Sequence, residues 1–303
     1  MVNKTVKTAG KKAVVFGGSG FLGSNVANEL IDRGFKVTIF DITAPDNVKG
    51  DFKFIKSDIL DRPAVEKAVS GNNFVYNFSG IASLDDASTK PLDTVKLNVI
   101  GNLNIIEACV KSKIKRYIYA STIYVYSQKG GFYRCSKQAS EIYIEEYHRR
   151  NNLDFTVLRY GTLYGPNANE FNSIYRYLKQ ALEKDMLVLD GTGEEFREYI
   201  HVRDAARLSV DILDNQYRNK HIIITGHYQM KFADMVKMIK EILGKNIKVE
   251  FTGKLNEDHY SITPYSFIPK IGHKLVSNYY TDMGQGLLEC LHEMTRKSHK
   301  KHG

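Results

Sequence analysis

Several features are scarce in this chain of 303 residues, and each scarcity excludes a class of protein. The 3 cysteines lack the short paired spacings of zinc or redox sites, so we expect a reducing compartment and no metal. There is no apolar run near the ~20 residues that a membrane span requires. The polar, lysine-containing start has no apolar stretch of the kind found in a signal peptide. These absences predict a cytoplasmic protein without a membrane partner.

Clustered charge of one sign is also missing, although the formal net charge is +9. The basic residues are spread along the chain, apart from a short group at the carboxyl end that begins at Arg296. A nucleic-acid binder more often gathers its basic residues on one element, interleaved with aromatic residues. We therefore predict no nucleic-acid partner, and note that the positive charge would suit an anionic substrate.

The first half of the chain alternates short β-branched runs with longer amphipathic segments, which is typical of βαβ units and a parallel sheet. The predicted strands cover residues 13–17, 35–40, 52–56, 74–78, 116–120 and 155–159. Over residues 92–110 the apolar positions recur at steps of three and four, which predicts one continuous helical stripe against the sheet. The sequence therefore predicts an α/β fold with a Rossmann-type doubly wound parallel sheet.

A glycine-rich turn follows the first predicted strand and opens an amphipathic helix, with Gly17, Gly20 and Gly23 at regular spacing. In this context the glycines permit a tight turn, a close approach of backbone amides to a pyrophosphate, and close packing of the helix on the strand. The amides expected to face the phosphates are those of Ser19, Phe21 and Leu22. The motif alone would also fit a glycine-rich turn without a ligand.

Two aspartates extend the prediction of a dinucleotide site. Asp41 ends the second predicted strand, where a carboxylate accepts hydrogen bonds from a ribose 2′-hydroxyl and repels a 2′-phosphate. This favours NAD over NADP as the cofactor. Asp58 follows the third strand, where it would contact the adenine amino group or cap the helix that starts near Arg62.

The alternation of strands and helices becomes less regular after Pro166. A helix is predicted over residues 173–183, strands over 196–200 and 222–225, and an extended excursion over 253–278. We expect residues 1–166 to form mainly the NAD-binding Rossmann domain. Residues 167–303 should form mainly a smaller C-terminal substrate-binding lobe, with some segments returning to the first domain.

Tyr133 and Lys137 lie one turn apart on the same face of a predicted helix. A tyrosine titrates near pH ~10, so a neighbouring ammonium group is the simplest means of stabilising its phenolate. Thr122 follows the predicted strand 116–120 at the carboxyl edge of the sheet, where its hydroxyl would bond the reacting oxygen or cap the strand. We predict that Tyr133, Lys137 and Thr122 are the catalytic residues of an acid/base reaction.

Several stretches together carry a resemblance that covers nearly the whole chain. They are Gly17-Gly18-Ser19-Gly20-Phe21-Leu22-Gly23, Ser121-Thr122 with Val125-Tyr126, Tyr133 through Ser136-Lys137, Arg159 through Tyr164-Gly165-Pro166, Asn98 with Gly101 and Asn104, and Arg197 with His201-Val202 and Asp204. With them the chain resembles the nucleotide-sugar branch of the extended short-chain dehydrogenase/reductase family, also described as NAD-dependent epimerases and dehydratases.

The resemblance implies a role for each matching residue. Tyr133 would be the general acid/base, Lys137 would hold the nicotinamide ribose and lower the pKa of Tyr133, and Thr122 would orient the substrate hydroxyl. The further cofactor-binding residues it implies are Ile59, Phe78, Ser79, Gly80, Asn98 and Tyr160. Those implied on the substrate side are Thr122, Thr162 and Arg197. Arg197 would reach a substrate diphosphate, or form a salt bridge with Glu194, Glu195 or Glu198.

The same resemblance narrows the reaction to a sugar hydroxyl, expected at C4. Relatives that dehydrate sugars carry Asp-Glu just after the threonine, whereas this chain has Ile123-Tyr124, which argues against a 4,6-dehydratase. A 4-epimerase, a 4-dehydrogenase and a 4-keto reductase need only Tyr133, Lys137 and Thr122, so these residues do not separate the three. The short stretch from Thr122 to Tyr133 would admit a bulkier sugar. GDP-heptose 4-dehydrogenases of capsule polysaccharide biosynthesis act on such a sugar, so a GDP-sugar is among the expected substrates.

Two further expectations follow from the relatives. They commonly dimerise through the helices that correspond to residues 92–111 and 133–150, which predicts a homodimer. Some relatives keep the fold and act as cofactor-sensing or RNA-binding modules without catalysis. The intact Tyr133, Lys137 and Thr122 argue for an enzyme.

Overall fold

The computed structural model describes residues 10–227, 229–253, 273–277 and 279–301. Most of the excursion predicted over residues 253–278 lies outside the described residues. Eight strands form one parallel sheet: β1 Lys12–Phe16, β2 Lys36–Asp41, β3 Phe52–Lys56, β4 Phe74–Asn77, β5 Arg116–Thr122, β6 Phe155–Tyr160, β11 Lys220–Ile224 and β14 His273–Lys274. Six short strands lie outside this sheet: β7 Thr162–Tyr164, β8 Met186–Leu189, β9 Phe196–Arg197, β10 Tyr199–His201, β12 Met230–Lys231 and β13 Lys248–Phe251.

The strand order in the large sheet is β14-β11-β6-β5-β4-β1-β2-β3, and every neighbouring pair is parallel. The chain winds outward from β1 in one direction and from β4 in the other. The switch point between these two strands is where doubly wound folds bind their ligands, at the carboxyl ends of the strands. The predicted Rossmann-type sheet is confirmed.

Helices cover both faces of the sheet. Their bounds are α1 Phe21–Asp32, α2 Arg62–Val69, α3 Leu84–Thr89, α4 Pro91–Val95, α5 Asn102–Ser112, α6 Gly131–Asn151, α7 Ser173–Lys184, α8 Val202–Asp211, α9 Phe232–Leu243 and α10 Met283–Lys301. Alternate residues of β1 enter different apolar clusters, Val15 with residues of α1 and α8, and Val14 with residues of α2, α5 and α6. A third apolar cluster joins α7, α9 and α10.

The continuous apolar stripe predicted over residues 92–110 is wrong in its first half. A π-helical stretch, Lys96–Gly101, separates α4 from α5. Each residue that such a stretch inserts rotates the following face by about 100°, so one stripe cannot pass through it. Leu92 is 75% exposed, whereas Ile105 and Ile106 are fully buried against the sheet.

The strand predicted over residues 196–200 is divided at Glu198. β9 pairs antiparallel with β12, whereas β10 pairs parallel with β7. The Glu198 carbonyl accepts a hydrogen bond from the Thr162 amide, and its buried carboxylate pairs with Lys274 at 3.1 Å. The chain therefore changes its strand partner at this residue. The strand predicted over residues 222–225 belongs to the large sheet as β11.

Candidate active site

The glycine turn between β1 and α1 packs against the chain that leaves β4. Gly17 has φ +72°, and a Cβ built on it would lie 2.7 Å from the backbone of Phe78 and Ser79. A Cβ on Gly23 would collide with the backbone of Gly17, so the close packing of α1 on the turn requires a glycine at position 23. Gly20 is the N-cap of α1 and offers no side-chain cap, so the first-turn amides of this helix are not occupied by a capping side chain. The turn therefore fits the pyrophosphate of a dinucleotide.

Asp41 lies at the end of β2 beside this turn. One carboxylate oxygen accepts a hydrogen bond from the Ser19 amide at 3.0 Å, and the other accepts one from the Thr43 amide at 3.2 Å. The Ser19 amide was expected to face the phosphates, and here it instead fixes the carboxylate. The partly exposed Asp41 is held at the sheet edge, where a ribose hydroxyl would meet a negative charge.

Asp58 and Ile59 follow β3. The exposed Asp58 accepts a hydrogen bond from the Leu60 amide at 2.9 Å. The cap of α2 is Asp61, whose side chain accepts from the Ala64 amide, so the alternative role of Asp58 as helix cap is wrong. Ile59 is buried against Gly101, and a Cβ on that glycine would collide with it.

Asn98 clamps the chain that leaves β4 onto α6. Its side chain exchanges hydrogen bonds with the backbone of Ile81 at 2.7 and 2.9 Å and donates to the Ser136 hydroxyl at 2.9 Å. Both amide protons of Asn98 are used within the protein, so its observed role is to hold this loop. The loop contains the partly exposed Phe78 and Ser79, and Gly80 with φ +119°.

The structure brings Tyr133, Lys137 and Thr122 together. Thr122 is the buried last residue of β5, and its side chain lies beside the phenol of Tyr133 on α6, where its hydroxyl acts to lower the pKa of that phenol. The Thr122 hydroxyl also accepts from the Tyr124 amide at 3.3 Å, so Thr122 caps the 3₁₀ turn Ile123–Tyr126 as well. Lys137 donates to the Ala120 carbonyl at 2.8 Å, and its ammonium lies 5.7 Å from the Tyr133 ring centroid.

The pKa values of this group differ from the expectation for the tyrosine. Burial raises the pKa of Tyr133 to about 12, and the hydrogen bond with Thr122 opposes the rise. Burial lowers the pKa of Lys137 to about 8, and the carboxylate of Glu141 opposes the fall. The predicted lowering of the Tyr133 pKa by Lys137 is not seen, because the ammonium is directed at the Ala120 carbonyl instead of the phenol.

Three further residues expected at the site, Tyr160 for the cofactor and Thr162 and Arg197 for the substrate, differ in exposure. Tyr160 is buried, and its hydroxyl lies 2.6 Å from that of Ser209 on α8. Thr162 in β7 and Arg197 in β9 are both partly exposed near Tyr199, which pairs with Thr162. Each of the three acidic residues considered as a partner of Arg197 has another bonding partner in the structure. Glu194 pairs with Lys231, Glu195 accepts from Thr192 and Gly193, and Glu198 pairs with Lys274.

A buried ion pair beneath the site was missed by the sequence reasoning. Glu141 on α6 contacts Arg159 on β6 at 2.7 Å and accepts from the Ser121 hydroxyl at 2.5 Å. The spacing of Lys137 and Glu141, one helical turn apart, was a signal that could have identified it.

The fold and this arrangement define a dinucleotide-binding α/β enzyme with a tyrosine–lysine pair. Residues 13–226 match the model of the NAD dependent epimerase/dehydratase family, and the chain belongs to that family. NAD is accordingly its cofactor, and the open glycine turn and the fixed Asp41 fit it.

Two relatives are named as enzymes that act on nucleotide sugars. The chain is 26% identical over 267 residues to a UDP-N-acetyl-alpha-D-glucosaminuronate decarboxylase of Bacillus cytotoxicus, covering 79% of this chain and 82% of that protein. It is 24% identical over 266 residues to a UDP-glucuronate 4-epimerase of Thermodesulfobacterium geofontis, covering 78% and 82%.

Solved structures share the whole fold. A UDP-N-acetylglucosamine 4-epimerase from Methanobrevibacter ruminantium superimposes with a TM-score of 0.83 at 23% identity, covering 96% of this chain and 100% of that one. A UDP-glucuronic acid 4-epimerase from Bacillus cereus, solved with UDP-glucuronic acid and NAD, gives 0.82 at 23% identity, covering 94% and 99%. Within the described part of this chain, no helix has the length and apolar character needed to span a membrane.

Proposed function

We propose that this protein oxidises or reduces the C4 hydroxyl carbon of a nucleoside-diphosphate sugar, as a 4-epimerase or a 4-dehydrogenase. The observation that carries the proposal is the grouping of Tyr133, Lys137 and Thr122 at the carboxyl end of β5, the neighbour of β4 at the switch point. A 4-keto sugar reductase would use the same residues in the opposite direction. The decarboxylase and 4-epimerase relatives support a reaction that starts at this hydroxyl.

The chemistry follows from the positions of the side chains. Bound NAD would supply the hydride acceptor or donor at its nicotinamide ring. Tyr133 would move the proton on the sugar oxygen, and Thr122 would orient that oxygen through its hydroxyl. Lys137, buried behind the pair, would place a positive charge near the phenol while it remains protonated. Arg197 and Thr162 would bind the substrate, with the guanidinium suited to its diphosphate.

Dehydration at C5 and C6 is disfavoured by the residues that follow Thr122. Ile123 is 1% exposed and belongs to an apolar cluster, so its side chain does not contact a bound sugar. The ring of Tyr124 makes an edge contact with the Tyr133 ring, at a centroid distance of 6.4 Å. No carboxylate stands at these two positions to remove a C5 proton. This supports chemistry confined to C4 over a 4,6-dehydratase.

The nucleotide and the sugar are to be identified by a panel. UDP-sugars are tested first because the names of the relatives contain them. GDP-sugars, including a GDP-heptose, are tested next because the short stretch between Thr122 and Tyr133 would admit a bulkier sugar. Purified protein is mixed with NAD and each UDP-, GDP-, CDP- or dTDP-sugar, with UDP-glucuronate included. Products are analysed by NMR, and reduced nicotinamide by its absorbance.

The reactions give different results in this panel. A dehydrogenase accumulates NADH and a 4-keto sugar, an epimerase changes the sugar without net NADH, and a reductase consumes NADH when a 4-keto sugar is supplied. A uronic acid oxidised at C4 becomes a β-keto acid, so a decarboxylase releases CO₂. Absence of turnover with every sugar, together with salt-sensitive RNA binding or NAD binding alone, would contradict the enzyme and favour a non-catalytic module.

The proposed assembly is a homodimer, and the proposed setting is the cytoplasm. Large apolar side chains are exposed on α4, the π-helical stretch and α6, namely Leu92, Val95, Ile100, Ile142 and Tyr143. These helices pack beside one another, and we call their exposed apolar residues together the helical face. The cysteines Cys109, Cys135 and Cys290 are unpaired, which suits a reducing compartment.

A further inference from the structure

Beneath the Thr122–Tyr133 pair lies an ion pair that the proposed reaction does not use. Arg159 near the end of β6 contacts both carboxylate oxygens of Glu141, at 3.1 and 2.7 Å. The side chains of Arg159 and Glu141 are 6% and 8% exposed. Arg159 also donates to the Tyr126 hydroxyl at 2.7 Å. Burying two charges is costly, so a pair retained at this depth invites a functional explanation.

Two side chains of α6, Lys137 and Glu141, bind the last residues of β5. Lys137 donates to the Ala120 carbonyl at 2.8 Å, and Glu141, one turn further along α6, accepts from the Ser121 hydroxyl at 2.5 Å. Thr122 is the next residue along β5. Helix α6 therefore binds the strand end at two consecutive positions, and these bonds fix Thr122 relative to Tyr133 on the same helix.

The charge on Glu141 also acts on Lys137. Lys137 is buried between the rings of Tyr119 and Tyr133, at 4.8 and 5.7 Å from their centroids. Burial lowers the pKa of Lys137, and Glu141 is the charged neighbour that raises it. A lysine so enclosed would lose its proton at lower pH without this carboxylate.

Three groups from neighbouring strands face Glu141. Arg159 from β6 is the cation in contact with it, Ser121 from β5 is neutral, and His221 from β11 lies at 3.9 Å. Burial lowers the pKa of His221 to about 4, with the charge of Arg159 acting in the same direction, so the imidazole is neutral at physiological pH. Glu145, 3.1 Å from His221, is 53% exposed on the outer part of α6.

We propose that Glu141 is a positioning residue that supplies a negative charge one helical turn from the buried Lys137 and holds the Ser121-Thr122 end of β5 against α6. This inference rests on the proposed function for its meaning in catalysis. Its electrostatic part concerns Lys137 itself and is measurable without turnover.

The experiment titrates Lys137 by NMR in the full-length protein labelled at lysine side chains, with the signal assigned by its loss in Lys137→Arg. In Glu141→Gln the amide oxygen still accepts from Ser121, but the charge is gone. We expect the titration midpoint of Lys137 to fall by on the order of 1 pH unit. The alkaline limb of the turnover profile should fall in parallel, with a larger loss in kcat than in substrate KM.

Two further variants are compared with Glu141→Gln. Glu145→Gln removes the neighbouring, more exposed carboxylate and should leave the Lys137 midpoint in place. Glu141→Gln with Arg159→Gln removes both buried charges, so it avoids an unpaired guanidinium if the single variant fails to fold, and it should still lower the midpoint. An unchanged midpoint in a folded Glu141 variant, or an equal shift in Glu145→Gln, overturns the inference. If the wild-type protein turns over none of the sugars, the proposed function is contradicted, but the titration midpoint of Lys137 still tests this inference.

Discussion

At the scale of single residues, the hydroxyl of Tyr133 is the atom on which the proposed chemistry depends. We expect Tyr133→Phe to lower turnover by at least ~10² while NAD still binds, because removing positioned acid/base catalysis typically costs this much. Turnover is measured with the substrate found in the panel, and NADH binding by nicotinamide fluorescence. Tyr147→Phe is the control, since that hydroxyl on the same helix lies toward Glu107. Normal turnover in Tyr133→Phe would refute the catalytic assignment.

The charge of Asp41 determines the second prediction at this scale. Asp41→Asn keeps an acceptor at the end of β2 but removes the repulsion of a 2′-phosphate. We expect the preference for NADH over NADPH to fall by roughly tenfold or more, since hydrogen bonds to charged groups contribute about 1.5–3 kcal/mol. Dissociation constants for both nucleotides are compared with those of Asp46→Asn, an exposed aspartate nearby. An unchanged ratio would show that Asp41 does not select the cofactor.

At the scale of elements, the turn between β5 and α6 positions Tyr124 against Tyr133. Gly130 has φ +98°, and a Cβ on it would lie 2.8 Å from the Tyr124 ring. We expect Gly130→Ala to cost about 1–3 kcal/mol in backbone strain and to lower turnover by displacing Tyr124. Gly34 is the matched control, because it has φ +80° but open space around its Cβ position.

The two glycine variants separate strain from displacement. Thermal unfolding should show a loss of stability in both, whereas kinetic assays should show lost turnover in Gly130→Ala alone. Equal turnover in the two variants would mean that the Tyr124 contact has no effect on the reaction.

At the scale of the whole molecule, the helical face predicts association of two chains. Ile142 is 65% exposed at the middle of α6, and a charge there would be buried without a partner in a dimer. We expect Ile142→Glu to shift the protein toward monomer in sedimentation velocity, while the fold measured by circular dichroism is unchanged. Phe171→Glu, a similar change at an exposed site outside these helices, should leave the oligomeric state as it is. A wild-type protein that is monomeric at micromolar concentration would refute the dimer.

Local patterns predicted the larger part of the fold. Strands of a sheet that helices cover on both faces are visible in the sequence as short apolar runs. The ends of β1 to β6 were therefore predicted with errors of two residues or fewer. The glycine turn was predictable because the positive φ of Gly17 and the close approach of Gly23 to the Gly17 backbone involve only neighbouring residues. The π-helical stretch was not, since nothing in the periodicity of residues 92–110 indicates where an extra residue enters a turn.

The sequence by itself determined the strands β1 to β6, the glycine turn, Asp41 at the end of β2, and the spacing of Tyr133 and Lys137, because each depends on neighbours within a few residues. Only the tertiary structure decided where long-range partners meet. It placed Arg159 against Glu141, gave the Ser19 amide to Asp41 and directed Lys137 at Ala120. These contacts depend on burial and on distances between separate strands, which no local pattern records.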